Sequence, residues 1–302
     1  MRRVLVTGGA GQLGSDIARE FSKEFEVVSV DVPDFDITNL DVTIQHLRGL
    51  KPHVIVHCAA LTDVDECETE VDKTYLVNGI GARNVAIAAH KVGSRLVYIS
   101  TDYVFDGEKA GPYREHDCPN PKTIYGMSKL MGERFVKQQT HAHFILRIAW
   151  LYGRTGHNFV KTILRSAQTR SELRVVDDQR GTPTWTVDVA RQVQRLLQTD
   201  AYGTYHATSQ GSCSWFDFAG AVLAEAGLDT PIIPVATAEF PRPAPRPKNS
   251  VLDNFLLRIQ GMDIMPPWQD SLKQFMTTID RQWARGDGQQ SEGWNHEQDR
   301  KT

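Results

Sequence analysis

The sequence predicts an α/β fold, a doubly wound parallel sheet joined to a smaller C-terminal lobe, and three observations carry that expectation. Short β-branched apolar runs alternate with helical stretches through the first 150 residues, the rhythm of a parallel sheet covered by helices on both faces. A glycine-rich turn follows the first of those runs at once. Gly8, Ala59, Thr101 and Trp150 stand just past the ends of four separate runs, at the rim where such sheets bind ligands.

Residues 2–6 read as the first strand, and Thr7-Gly8-Gly9-Ala10-Gly11-Gln12-Leu13-Gly14 follows directly. Glycines at 8, 11 and 14 suit a tight turn, close approach of the backbone to a pyrophosphate, and close helix–strand packing. A helix beginning near Gln12 would turn its N-terminal amides toward that diphosphate. A glycine turn without a ligand is the plainer alternative, but it leaves the strand before and the helix after unexplained. Residues 27–30 read as the second strand, ending at Asp31, where a carboxylate can grip the adenosine ribose hydroxyls. Asp31 favours NADH because a carboxylate repels a 2′-phosphate. Arg2, Arg3 or a later lysine would favour NADPH, so both coenzymes stay open.

Residues 54–57 form the third predicted strand, 74–90 a helix, 96–99 the fourth strand, 125–137 a helix and 144–148 the fifth strand. Beyond residue 150 the rhythm weakens, and prolines at 231, 234, 241, 243, 245 and 247 mark a loop-rich region. The expected organisation is a dinucleotide-binding domain over 1–150, with parts of 151–250 returning to it. A mainly substrate-binding lobe follows over 151–285, then a polar, disordered tail over 286–302.

The candidate chemistry lies in two segments, Ser100-Thr101-Asp102-Tyr103-Val104-Phe105-Asp106-Gly107 and Tyr125-Gly126-Met127-Ser128-Lys129. Positions i and i+4 share a helix face, so the Lys129 ammonium should lie beside the Tyr125 phenol and lower its pKa. Thr101 offers a further donor to the same reacting oxygen. With a nicotinamide alongside, Thr101, Tyr125 and Lys129 make a site for carbonyl reduction or alcohol oxidation. The Y-x-x-x-K pattern alone is weak, since a chain with eight tyrosines meets it readily by chance.

Composition is that of a globular enzyme, with 40% hydrophobic and 24% charged residues. A net charge of −3 argues against general nucleic-acid binding, so an anionic ligand must meet local arginines and lysines. Cys58, Cys67, Cys118 and Cys213 have no C-x-x-C spacing, which suits a reducing cytoplasm. Nothing resembles a signal peptide or a membrane span, so no membrane association is expected.

These residues together resemble the dTDP-4-dehydrorhamnose reductases of the extended short-chain dehydrogenase/reductase superfamily. The resemblance runs from Arg3 to about Ile279 through the segments above and several others. These are Asp36-Ile37-Thr38, Ala59-Ala60 with Thr62 and Val64-Asp65, Gly132-Glu133, and Trp150-Leu151-Tyr152-Gly153. Further on come Asn158-Phe159-Val160-Lys161-Thr162, Asp178-Gln179 with Gly181 and Pro183-Thr184, and Arg246-Pro247-Lys248-Asn249-Ser250 with Leu252-Asp253. It implies a Rossmann-like fold and reduction, with NADPH or NADH, of the 4-keto group of dTDP-4-dehydro-L-rhamnose. It also implies that Asp36, Ile37, Ala59, Ala60 and Thr62 join Gly8, Gly11, Gln12, Leu13, Gly14 and Asp31 around the coenzyme, with Tyr125 and Lys129. Val64, Asp102, Tyr103, Trp150, Asn158, Arg246 and Asn249 would hold the dTDP-sugar.

Two departures stand out. His57-Cys58 ends a strand where the family more often has Asn and small residues; with Cys67 it suggests a metal, but no fourth ligand is spaced to close a site. In some members a magnesium ion joins two subunits through glutamates, and the matching positions here are Asp16, Val187 and Gln269. Valine cannot ligate a hard cation, so magnesium is doubtful and a monomer or a metal-independent homodimer is expected. The cluster Asp63, Asp65, Glu66, Glu68 and Glu70 reads as a helix-start complement, and Trp185 and Trp215 read as core. Arg242 and Arg246 lie among the prolines; a diphosphate needs a guanidinium clamp, and the resemblance selects Arg246.

Three other functions share parts of this pattern. A sugar-nucleotide dehydratase or epimerase shares the pattern, but dehydratases carry an acid where Tyr103 follows Asp102. A 4-ketoreductase of another dTDP-deoxysugar fits the same residues. A non-catalytic, coenzyme-binding regulatory subunit like that of methionine adenosyltransferase would bind coenzyme and a partner protein without turnover.

Overall fold

The computed structural model describes residues 2–32 and 34–279; the tail expected over 286–302 lies outside them. Five strands arise where the sequence predicts them: β1 (Arg3–Thr7), β2 (Glu26–Val30), β3 (Val54–His57), β4 (Arg95–Thr101) and β5 (His143–Ile148). All pair in parallel, and a sixth strand, Gly203–His206, adds to the free side of β5. The order from that edge is Gly203–His206, β5, β4, β3, β1, β2, so the winding direction reverses between β1 and β3. A crevice at such a reversal, outside the carboxyl ends of the strands, is where doubly wound sheets take ligands.

Side-chain alternation along β1 builds both faces. Val4 and Val6 pack into one core with Ile17 of helix α1 (Gln12–Phe21) and with Val189 and Val193 of helix Thr186–Leu197. Leu5 turns the other way and packs with Leu47 of α2 (Leu40–Leu50) and Val85 of helix Ala82–Val92. The stretch expected as one helix over 74–90 contains seven residues in π-helical turns, Tyr75–Gly81, before the α-helix resumes. A third core gathers Tyr152, Phe218, Trp268 and Phe275 among helices Phe159–Thr169, Trp215–Ala226 and Trp268–Thr278. Ser214 and Asp217 start the middle helix of these with a reciprocal capping box. Among the described residues no helix is long and apolar enough to cross a membrane.

Candidate active site

The glycine turn is built for close approach. Gly8 has φ +68, and a Cβ there would stand 2.6 Å from the Ala59 amide nitrogen. A Cβ on Gly14 would collide with the Gly8 carbonyl oxygen. Gly11 caps α1 without any side-chain hydrogen bond, which leaves the first-turn amides for a ligand. Beside this turn opens a cleft of about 820 Å³ at the carboxyl ends of the strands. Gly8, Gly11, Gln12, Leu13 and Gly14 line one end of it, with Asp31, Asp36 and Ile37. Ala59, Ala60, Thr62 and Val64 line the middle, and Thr101, Asp102, Tyr103, Tyr125, Lys129 and Trp150 the other end. The residues therefore fit a dinucleotide: a cradle that any side chain would fill, and Asp31 fixed at its rim. Asp31 accepts hydrogen bonds from the Ala10 and Val32 amides at 3.0 and 2.9 Å.

Helix Ile124–Gln139 carries Tyr125 and Lys129, and its placement follows from its first residues. Thr123 caps it by accepting from the Gly126 amide at 3.0 Å. A Cβ on Gly126 would run into the Tyr103 carbonyl oxygen, and one on Gly132 into the Tyr98 hydroxyl. Two glycines thus let this helix settle onto β4 and the turn Asp102–Val104 that ends it. Tyr125 then meets Tyr103 edge-on at 5.6 Å, beside the hydroxyl of Thr101. The Thr101 hydroxyl donates to the Asp102 carboxylate at 2.9 Å and accepts from the Tyr103 amide at 3.2 Å. Burial pushes the Asp102 carboxyl up to about 6.

The structure corrects the expected role of Lys129 toward Tyr125. Burial raises the Tyr125 phenol above its ordinary value, and the neighbour that opposes the rise is the Thr101 hydroxyl. Lys129, only 3% exposed, rests its ammonium 4.3 Å from the centre of the Tyr98 ring. Burial lowers its pKa to about 7, against the pull of Cys58 and Glu133. Helical spacing puts residues on one face, but Tyr98 of β4 decides where this ammonium goes.

His57 is buried, its Nδ1 2.7 Å from the Thr7 hydroxyl, and burial with Lys129 nearby lowers its pKa to about 3. Burial raises the Cys58 thiol to about 12. Among the described residues no group of three or more His, Cys, Asp or Glu side chains is arranged to hold a metal ion. Nor do the positions suggested for magnesium fit one. Asp16 is buried, pairs with Arg19 at 2.6 Å and accepts from the Thr186 hydroxyl, while Val187 lies in the core.

Trp150, with φ 46 in the left-handed region, stacks on Trp215 at 3.4 Å with the rings 5° from parallel. Gly181 lies against the Trp150 indole, where a Cβ would clash. Trp185 is in the core, but Trp215 is half-buried and donates from its indole N–H to Gln179 at 3.1 Å. That stack orients Trp150, a task for Trp215 and Gln179 that composition alone does not reveal.

Two expected substrate residues do not reach the cleft. The Asn158 side chain caps helix Phe159–Thr169 and donates to the Gln12 side chain and the Gly153 carbonyl at 2.9 and 2.8 Å. The Asn249 amide donates to the Lys109 and Gly111 carbonyls. With their donors and acceptors engaged, both serve the scaffold. Arg246 lines a second cavity of about 580 Å³, and Tyr103 lies on the walls of both cavities. The Arg246 guanidinium pairs with Asp65 at 2.7 Å, and Asp65 also accepts from the Ala244 amide at 3.1 Å. The acidic cluster has structural uses too: Asp63 caps helix α3 (Val64–Thr69), and Glu68 accepts from the Ile124 amide at 2.8 Å.

A glycine cradle sharing one cleft with Thr101, Tyr125 and Lys129 defines a nicotinamide-dependent oxidoreductase of the extended short-chain dehydrogenase/reductase class. A family model described as the RmlD substrate binding domain matches residues 1–281, and the chain belongs to that family. The spore coat polysaccharide biosynthesis protein SpsK of Bacillus subtilis is 43% identical over 279 residues, spanning 91% of this chain and 97% of that protein. The dTDP-4-dehydrorhamnose reductase of Aggregatibacter actinomycetemcomitans is 41% identical over 289 residues, 90% and 98% of the two chains. The crystal structure of the Bacillus anthracis dTDP-4-dehydrorhamnose reductase in complex with NADP superposes with a TM-score of 0.90 at 44% identity. It covers 92% of this chain and 100% of that one.

Proposed function

We propose that this protein reduces the 4-keto group of dTDP-4-dehydro-L-rhamnose to give dTDP-L-rhamnose, a precursor for surface polysaccharide. The observation that carries this reading is a single cleft holding the dinucleotide cradle, the Thr101–Tyr125–Lys129 set and Trp150, next to a cavity walled by Arg246. Relatives of similar length named for that reaction support the choice of substrate. When bound, the nicotinamide supplies the hydride. Tyr125 gives its phenolic proton to the oxygen developing negative charge at C4, and Thr101 turns its single hydroxyl proton from Asp102 to the same oxygen. Below its pKa of about 7, Lys129 brings a positive charge to the cleft wall. Asp102 holds the Thr101 hydroxyl until the substrate arrives, and Trp150, backed by Trp215, forms an apolar wall for the sugar. Val64 lies where α3 meets the cleft. Tyr103 stands where a dehydratase needs an acid, so this site lacks the catalyst for water elimination.

The direct test is NADPH or NADH oxidation by the purified protein, with the dTDP-4-keto sugar generated in place and the product identified. Steady turnover to dTDP-L-rhamnose is expected; coenzyme binding without turnover would favour the regulatory-subunit reading.

Coenzyme choice gives a second prediction. Asp31→Ala is expected to raise the NADPH-to-NADH ratio of kcat/KM by about fivefold or more, since like charges about 4 Å apart repel by about 1 kcal/mol even in water. Loss of the Ala10 and Val32 hydrogen bonds loosens the turn for both coenzymes and cancels in the ratio. An unchanged ratio would place Asp31 away from the ribose.

A further inference from the structure

Glu133 lies one helical turn beyond Lys129 and two beyond Tyr125, on the face that helix Ile124–Gln139 turns to the sheet. Its carboxylate is 1% exposed and accepts three hydrogen bonds: Ser100 Oγ at 2.6 Å, and Arg147 Nε and Nη2 at 2.8 Å each. Ser100 and Arg147 are direct cross-strand partners on β4 and β5, and His206 is the partner of Arg147 on the sixth strand. Two strands thus present polar side chains to one carboxylate, with His206 beside Arg147 on the third. Ser100 immediately precedes Thr101. Nothing in the chemistry of hydride and proton transfer needs a buried ion pair here, and such a pair is a poor way to gain stability.

We propose that Glu133 is a positioning residue for the reaction. Gripped by Ser100 and Arg147, it sets the helix carrying Tyr125 and Lys129 in register with the strand carrying Thr101. It also supplies a buried negative charge near the Lys129 ammonium. The inference rests on the proposed function for its consequence in turnover. The groups around Lys129 and Glu133 are His57 and Cys58 from β3, Tyr98 and Ser100 from β4, Arg147 from β5, His206, and Tyr125 and Lys137 from the same helix. Burial keeps His57 and His206 neutral, with pKa values of about 3, and holds Cys58 as a thiol. Glu133 is therefore the anion that opposes the desolvation of Lys129. Removing its charge leaves Arg147 uncompensated on the same side, so Lys129 gives up its proton at lower pH.

The experiment reads Lys129 directly, by the pH dependence of its acetylation with acetic anhydride in the full-length protein, followed by peptide mass spectrometry. Only the uncharged amine reacts. For the parent protein the midpoint is expected near about 7. Glu133→Gln should move it down by about one unit, and the alkaline limb of the kcat profile should move with it. An unmoved midpoint in the folded variant overturns the proposal. If Glu133→Gln does not fold, the pair Glu133→Leu with Arg147→Met keeps the packing without the charges. That pair should give a smaller shift in the same direction, because the Arg147 cation is gone as well; no shift there also overturns it. Acetylation needs no substrate, so a parent protein without turnover would refute the proposed function and leave this inference standing on its own result.

Discussion

Tyr125→Phe is expected to lower kcat on the order of 10²–10⁴-fold, the usual worth of a positioned acid, with little change in affinity for coenzyme or sugar nucleotide. The substitution keeps the ring that meets Tyr103 edge-on at 5.6 Å and removes only the hydroxyl beside Thr101. Burial raises the phenol pKa, so at neutral pH Tyr125 stands protonated and ready to give a proton, as ketone reduction requires. What must then be stabilised is the phenolate left behind. Once the C4 oxygen has taken the proton, the Thr101 hydroxyl, the neighbour that lowers the phenol pKa, favours that phenolate by hydrogen bonding. Steady-state kinetics at neutral pH decide the matter. Near-normal turnover by the phenylalanine variant would remove Tyr125 from the proton transfer.

The features legible in the sequence are those with a local physical cause. Gly8 and Gly14 could be read because a backbone that allows no Cβ leaves few residue choices. The five strands could be read because their apolar β-branched runs end in turn residues. The sixth strand, Gly203–His206, has two polar residues among four, and His206 meets its partners, the Tyr113 and Asp253 carbonyls, only in the folded chain. Lys129 was legible as a partner on the Tyr125 helix face, but its resting place on Tyr98 depends on a strand residue 31 positions away in sequence. Asn158 and Asn249 sit in segments that mark the family, and a segment match does not separate a side chain that touches ligand from one that caps a helix. Trp215 reads as core from its apolar neighbours; its stacking on Trp150 appears only once helix Trp215–Ala226 is packed.

Arg246→Ala is expected to raise KM for the sugar nucleotide roughly ten- to a hundredfold and leave the KM for coenzyme nearly unchanged. The magnitude is that of one charge-assisted hydrogen-bonding group, about 1.5–3 kcal/mol. Arg246 is committed in part already: Nη2 donates to Asp65 at 2.7 Å and Nη1 to the Ala244 carbonyl at 3.3 Å. A guanidinium has five N–H donors, so three remain for phosphate oxygens in the second cavity. The Asp65 pair therefore aims the fork without exhausting it. Asp65 also holds the Ala244 amide, which ties the proline-rich segment to helix α3. Arg246→Lys should recover only part of the loss, because a lysine restores the charge as a point but not the paired donors. The coenzyme is expected to be indifferent because its diphosphate belongs to the Gly8–Gly14 turn, in the other cavity. If Arg246→Ala weakened both ligands equally, the 580 Å³ cavity would not be the diphosphate site of the sugar nucleotide, and Arg246 would act only by holding α3 in place.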